Sequence, residues 1–337
     1  MKSQFSADHL REKGIVVGFD ARYNSRTWGR LTARIFANHG VKVRIFSEIV
    51  PTPYVAFQVR LNGLCGGVMC TASHNPKEDN GYKVYWNDGA QIIPPHDKGI
   101  AAAIDANLEP WDGSWETEGD IYTNYLITDP TKETDIKYME LLEGYITSKD
   151  LNSRTNLRFT YTPVHGVGTR TVKLAMKTFG LPELIEVPEQ KDPNPDFPTV
   201  KFPNPEEGAG VLELSVKAAE ANGCKHILAS DPDADRLAVS EKGRDGKWKV
   251  FTGNELGAIF GWWAVECWKK RGKQSSDTTY MLSSTVSSKI LDSIANKEGV
   301  KFEDTLTGTK LINTSTEFSF RIQMDGFKVQ KTDRFWK

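Results

Sequence analysis

An α/β fold in more than one domain is what this sequence predicts, and two observations predict it. Short apolar runs that read as buried strands alternate with segments carrying apolar residues at helical spacing, in three successive rounds. The chain has 337 residues, which as a prior gives roughly two domains and leaves room for three smaller ones.

The first round opens at residues 14–20, where Gly-Ile-Val-Val-Gly-Phe-Asp reads as a buried strand ending on a polar residue. Residues 26–39 have helical spacing and close on Gly40, 41–46 form a second strand, 53–61 a short helix and 66–70 a third strand. After a long connection the pattern returns, with strands at 157–163, 184–187 and 226–229 and helices at 169–179 and 211–222. The third round has a hairpin around 243–246, a helix from 254 to about 270 capped by Thr252 or Asn254, a strand at 280–282 and a helix at 286–295. Phe260, Trp262, Trp263 and Trp268 give the long helix an aromatic face that reads as packing surface. The rounds are unequal in length, so they suggest related domains rather than a solenoid. Residues 108–135, rich in Asp, Glu, Thr and Trp, read as a linker, and residues 188–209, with six prolines, as a functional loop. The expected division is 1–130, 131–245, a partial third domain at 246–310 and a divergent tail at 311–337 with some strand-like alternation.

Composition excludes several function classes. Basic and acidic side chains number 43 and 44, a net charge of −1, which argues against a polybasic nucleic-acid binder. No apolar run approaches the ~18 residues of a membrane span, and residues 1–13 lack the apolar region of a secretory signal. The four cysteines form no Cys-x-x-Cys pair and have no histidine at zinc-ligand spacing, so they read as reduced, mostly buried thiols of a cytoplasmic protein.

Two segments carry the chemistry. Cys70-Thr-Ala-Ser73-His74-Asn75-Pro76 follows the third strand and returns through Asn80-Gly81-Tyr82-Lys83. A serine just past the carboxyl end of a strand stands where ligands meet an α/β sheet. A hydroxyl nucleophile needs a proton acceptor and charge stabilisation, and His74 and Lys83 are the candidates; a lysine needs a depressed pKa to act as a base. The second segment, Asp231-Pro232-Asp233-Ala234-Asp235-Arg236, follows the strand ending near Ser230. Three carboxylates at alternate positions converge on one cation if the backbone turns, and all-oxygen ligation suits Mg²⁺ beside a phosphate. A calcium EF-hand is excluded, because Arg236 stands at the sixth loop position and Lys242 at the twelfth. Arg236 adds a forked donor suited to phosphate oxygens.

Thr71-Ala-Ser-His-Asn-Pro with Gly81-Tyr-Lys83 resembles the phosphoserine signature of the α-D-phosphohexomutase family, and from Ser73 to Trp86 the wording is most similar to the phosphopentomutase-type phosphoglucomutases. The aspartate run resembles the family's metal loop, with Pro232 and Ala234 where many members carry glycine. The resemblance implies three mixed α/β domains, the third incomplete, in a phosphohexomutase architecture lacking the fourth. It implies that Ser73 carries the exchanged phosphoryl group and that Mg²⁺ binds Ser73, Asp231, Asp233 and Asp235. Asp20-Ala-Arg22 resembles the family's strand-end Asp-x-Arg, which would place Arg22 against the phosphoserine region. Thr162-Pro-Val-His165-Gly-Val-Gly168 has two readings, a phosphate-approaching turn or a plain strand-to-helix turn.

The implied activity is a phosphosugar mutase, an intramolecular phosphotransferase moving phosphate between the 1- and 6- (or 5-) hydroxyls of glucose or ribose phosphates, with glucose 1,6-bisphosphate as activator. Its expected partners are small sugar phosphates, with no nucleic acid and no membrane. The resemblance runs from about residue 14 to Gly308; residues 1–13 do not match the family's Phe-Gly-Thr-x-Gly-x-Arg segment, and no Glu-Glu-x-x-Gly sugar loop follows Gly308. Two alternatives therefore stand beside the mutase: a non-catalytic fragment or pseudoenzyme of the family, and a Mg²⁺-dependent phosphosugar phosphatase.

Overall fold

The computed structural model describes residues 1, 4–115, 119–207, 209–270, 272 and 279–305. The expected tail at 311–337 and the end of the family-like segment at Gly308 lie outside them. The chain divides into two compact units, Met1–Asp235 and Arg236–Lys337.

The first unit opens with α1 (Ala7–Lys13), β1 (Ile15–Phe19), α2 (Ser25–Asn38), β2 (Val43–Ile45), α3 (Thr52–Asn62), β3 (Gly66–Cys70), β4 (Tyr82–Trp86), α4 (His96–Asp105) and β5 (Ile127–Thr128). Their strands form one sheet in the order β4-β3-β1-β2-β5, parallel except for β4. Both faces of β1 are covered, which is why its sequence is a continuous apolar run. Ile15, Val17 and Phe19 pack with Ala33 and Ala37 of α2, while Val16 packs with Tyr54, Val55 and Val59 of α3. The stretch expected as a linker departs from that reading. Ile121 and Ile127 are buried in the first core, and β5 extends the sheet edge beside β2. Two apolar residues spaced too far apart to show periodicity were enough for burial, because β2 supplies the partner strand.

The unit continues with α5 (Thr131–Glu143), α6 (Lys149–Arg154), β6 (Thr160–Thr162), α7 (Gly168–Phe179), β7 (Ile185–Glu186), α8 (Ala209–Ala221) and β8 (His226–Ser230). Strand β6 runs parallel to β7 on one side and to β8 on the other. Parallel strands send their chain turns to one edge, so the residues after β1, β3, β6 and β8 are the ones an α/β sheet offers to a ligand.

The second unit has β9 (Leu237–Lys242) antiparallel to β10 (Trp248–Val250), then α9 (Gly253–Lys270), β11 (Tyr280–Ser284), α10 (Ile290–Glu298) and β12 (Lys301–Thr305), with β11 parallel to β12. Thr252 caps α9 in a reciprocal box: its Oγ1 accepts from the Glu255 N–H, and Glu255 Oε2 accepts from the Thr252 N–H. Asn254, the other expected cap, instead accepts from the Ser288 N–H. Trp268 is buried in the core with Val265, Met281 and Leu291, whereas Trp262 and Trp263 are exposed. The helix expected from 286 begins only at Ile290, because Ser284 and Ser287 satisfy each other and their backbone in a turn. Among the described residues no helix is long and apolar enough to cross a membrane. Cys65, Cys70 and Cys224 are buried free thiols, and Cys267 is half-buried.

Candidate active site

The serine loop is held from below by a buried arginine. Arg22 Nη2 donates to the carbonyls of Ser73 and Asn75 at 2.8 and 2.6 Å, and Nη1 donates to those of Pro76 and Asp79 at 2.7 and 3.1 Å. Asp20 anchors the same corner, accepting from the Thr71 and Ser25 hydroxyls at 2.6 and 2.7 Å. The Phe197 ring covers the Arg22 guanidinium at 4.9 Å, and Asp196 pairs with Lys77 of the serine loop at 3.2 Å. The proline-rich segment is thus a strap over the serine loop, a role its composition did not disclose.

Arg22 thus lies against the phosphoserine region, as the resemblance implied, and meets it through the backbone of the serine loop. Its four terminal N–H directions go to loop carbonyls, so it shapes the loop rather than presenting a free fork. Arg22→Lys keeps the charge but cannot reach four divergent carbonyls. We expect a loss of roughly 2–4 kcal/mol in urea unfolding; an unchanged midpoint would contradict that role.

Ser73 sits on the rim of the loop in a left-handed conformation, φ 54°, which a non-glycine residue adopts only when neighbours enforce it. Here the Ser73 N–H donates to Thr71 Oγ1 at 2.9 Å while its carbonyl is held by Arg22. The hydroxyl then faces the aspartate loop: Ser73 Oγ donates to Asp231 Oδ2 at 2.9 Å. His74 Nδ1 lies 3.4 Å from Ser73 Oγ.

The aspartate loop turns tightly after β8. The Ala234 N–H bonds the Asp231 carbonyl at 2.9 Å, Ala234 takes φ 53°, and the Asp235 N–H donates to Asp231 Oδ1 at 3.2 Å. Carboxylate oxygens of Asp231, Asp233 and Asp235 all fall within 4.8 Å of one another. Asp231 and Asp233 are fully buried, and Asp233 Oδ1 finds no hydrogen-bond donor. Lys83, set by the β3–β4 register opposite Met69, bonds Asp233 Oδ2 at 2.6 Å and Asp235 Oδ2 at 2.9 Å. Burial works against the Lys83 ammonium, but the two carboxylates outweigh it and raise its pKa, the opposite of what a base near neutrality needs. Burial first, then Asp233 and Asp235, push the Asp231 carboxyl well up. Asp233 is held down at about 2: burial opposes its charge, but Lys83 overrides it. An all-oxygen cluster of this density with an orphaned buried oxygen fits a hard dication such as Mg²⁺.

Of the residues singled out from sequence, Ser73, His74, Lys83, Asp231, Asp233 and Asp235 come together, with Arg22 beneath them. Arg236 follows Asp235 directly and opens the second unit. The Thr162–Gly168 segment resolves to a supporting turn. The Val167 N–H bonds the Pro232 carbonyl at 2.9 Å, and a Cβ on Gly166 would lie 2.3 Å from Pro232 Cα. Glycine here lets the turn carry the aspartate loop. Gly166→Ala would force backbone from backbone, and we expect it to cost about 1–3 kcal/mol and to weaken metal binding. Calorimetric Mn²⁺ titration beside a thermal melt checks both, and a variant matching wild type in each would contradict the close-packing role. Sequence reasoning missed Thr52, whose hydroxyl donates to Asp233 Oδ2. It lies about 180 residues from the loop it serves, and only the fold joins them.

Sequence profiles described as phosphoglucomutase/phosphomannomutase alpha/beta/alpha domain I and domain II match residues 3–110 and 137–246. A phosphopentomutase of Homo sapiens is 52% identical over 318 residues, covering 92% of this chain and 52% of that protein. A glucose 1,6-bisphosphate synthase of Homo sapiens is 51% identical over 313 residues, covering 90% of this chain and 50% of that protein. The chain spans about half the length of the curated relatives it matches. A phosphoglucomutase/phosphomannomutase family protein from Burkholderia thailandensis superposes with a TM-score of 0.71 at 21% identity, over 99% of this chain and 70% of that one, a likeness of fold.

Proposed function

The chain belongs to the phosphoglucomutase/phosphomannomutase family, and from that premise we propose that it moves a phosphoryl group between the 1- and 6- (or 5-) hydroxyls of glucose or ribose phosphates through a phosphoserine at Ser73. The observation that carries this reading is the Ser73 Oγ–Asp231 Oδ2 contact of 2.9 Å, which sets a hydroxyl against the three-carboxylate cluster. The similar relatives named phosphopentomutase and glucose 1,6-bisphosphate synthase support sugar phosphates as substrates and glucose 1,6-bisphosphate as activator.

Asp231, Asp233 and Asp235 would hold Mg²⁺ together with the Ser73 phosphate. When bound, the cation supplies charge neutralisation for the transferring phosphoryl group. The chain's own residues supply the rest. Arg22 and Asp20 keep Ser73 presented in its strained conformation, so no reorganisation is needed at the moment of transfer. Lys83 remains cationic and balances the carboxylates. His74 Nδ1 lies beside Oγ, so it is placed to return a proton to that oxygen as the phosphoryl group leaves Ser73, and to take the Ser73 proton when the hydroxyl attacks the bisphosphate in the return step. Transfer from Ser73 to the sugar gives a bisphosphate, and return of its other phosphate regenerates the phosphoserine.

The test is an assay of the purified 337-residue chain with Mg²⁺ and a catalytic amount of glucose 1,6-bisphosphate, offering glucose 1-phosphate and ribose 1-phosphate separately. Isomer formation in either supports the reading, and the ratio ranks the sugars. Phosphate release without isomer, or no turnover from a folded chain, would overturn it.

A further inference from the structure

Asp233 divides its two oxygens between different tasks. Oδ2 accepts from the Thr52 hydroxyl and from Lys83 Nζ, the latter at 2.6 Å, while Oδ1 stays buried without a donor. The Thr52 backbone N–H reaches the same residue, donating to the Asp233 carbonyl at 2.9 Å. Thr52 is itself buried and is the first residue of α3. Its N–H is therefore one of the helix donors with no partner inside the helix, and it is used here to tie down the aspartate loop. Pro51 and Pro53 on either side restrict the backbone at that point.

We propose that Thr52 is a positioning residue for the metal site, fixing Asp233 so that Oδ1 is delivered to the cation. The proposal rests on reading Asp231, Asp233 and Asp235 as the Mg²⁺ ligands. A carboxylate held at one oxygen and at its own backbone carbonyl keeps one rotation about its terminal bond. The other oxygen is then aimed without an ordering cost when the cation arrives. Lys83 alone is a poorer anchor. It sits on a long flexible stem and is shared with Asp235 at 2.9 Å. The Thr52 hydroxyl is on a β-branched side chain with few rotamers, at the rigid start of a helix. Without it, Asp233 can turn both oxygens toward the lysine ammonium, which competes with metal ligation.

The experiment measures Mn²⁺ binding to the purified chain by the paramagnetic resonance of free Mn²⁺, with Mg²⁺ as competitor, beside a metal-free thermal melt. Thr52→Val keeps the volume and the backbone N–H bond and removes only the hydroxyl. Its Kd for Mn²⁺ should rise about 10-fold or more, while Thr52→Ser should stay within about 3-fold of wild type. A valine variant that binds Mn²⁺ as tightly as wild type would overturn the proposal, and so would a serine variant that loses as much as valine. Absence of Mn²⁺ binding by the wild-type chain would instead remove the metal reading on which the proposal stands. If Thr52→Val does not fold, Thr52→Ala takes its place with the same outcomes.

Discussion

Ser73→Ala is expected to abolish phosphoryl exchange, lowering mutase turnover by at least about 10³-fold, because the group that would accept and return the phosphate is gone. Incubation with labelled glucose 1,6-bisphosphate should leave wild-type chain labelled and the variant unlabelled. The loop should survive the change. Its restraints are backbone bonds from Arg22 and a backbone N–H to Thr71, none of which uses the serine hydroxyl. A near-wild-type melting temperature with lost labelling therefore places the defect in chemistry. Retained turnover in the variant would remove Ser73 from the nucleophile role and with it the proposed function.

Much of the frame was legible in the sequence because buried parallel strands leave continuous apolar runs. Residues 14–20 and 66–70 read as strands for that reason, and strands form at Ile15–Phe19 and Gly66–Cys70. The two loops were legible because chemistry concentrates rare residue types at short spacing, Ser-His-Asn-Pro in one and alternating aspartates in the other. What the sequence withheld are pairings between distant segments. Strand β5 exists only because β2 offers an edge, and its own two residues carry no periodicity. Arg22 was legible as a polar residue after a strand, but its direction was not; four carbonyls of a folded loop determine it. Thr52 had no local signal at all, since a threonine before a proline is common at helix starts. The pKa direction at Lys83 also comes from tertiary placement, because two carboxylates from another sheet flank it.

Asp231→Asn should trade metal binding for stability. Three carboxylates within 4.8 Å, two of them buried, repel one another when no cation is present. Burial and its two neighbours raise the Asp231 pKa, so the folded chain binds that proton more tightly than the unfolded chain does. The resulting stabilisation is present at low pH and is lost as pH rises from the ordinary aspartate value of about 3.9 through the raised folded value. Asp233 contributes with the opposite sign, and its window lies lower, between about 2 in the folded chain and the ordinary aspartate value, about 3.9. Above that window Asp231 and Asp20, both raised by burial, pull stability down toward neutral pH while His165, lowered by burial, pulls the other way, so the Asp231 share is read as the difference between the metal-free profiles of wild type and variant. Mg²⁺ must displace the Asp231 proton, so its affinity should rise over the same range. Asparagine is neutral and nearly isosteric, and it keeps both contacts by accepting from the Asp235 N–H while its amide NH2 donates to Ser73 Oγ. The variant should be at least as stable as wild type without metal at pH 7, with a flatter pH profile. It should also lose the Mg²⁺-induced rise in melting temperature and bind the cation more than about 100-fold more weakly. An Asp231→Asn chain that Mg²⁺ still stabilises as it does wild type would show that the cation sits elsewhere. The predicted exchange of stability for ligation is what a site assembled for charge, rather than for packing, should display.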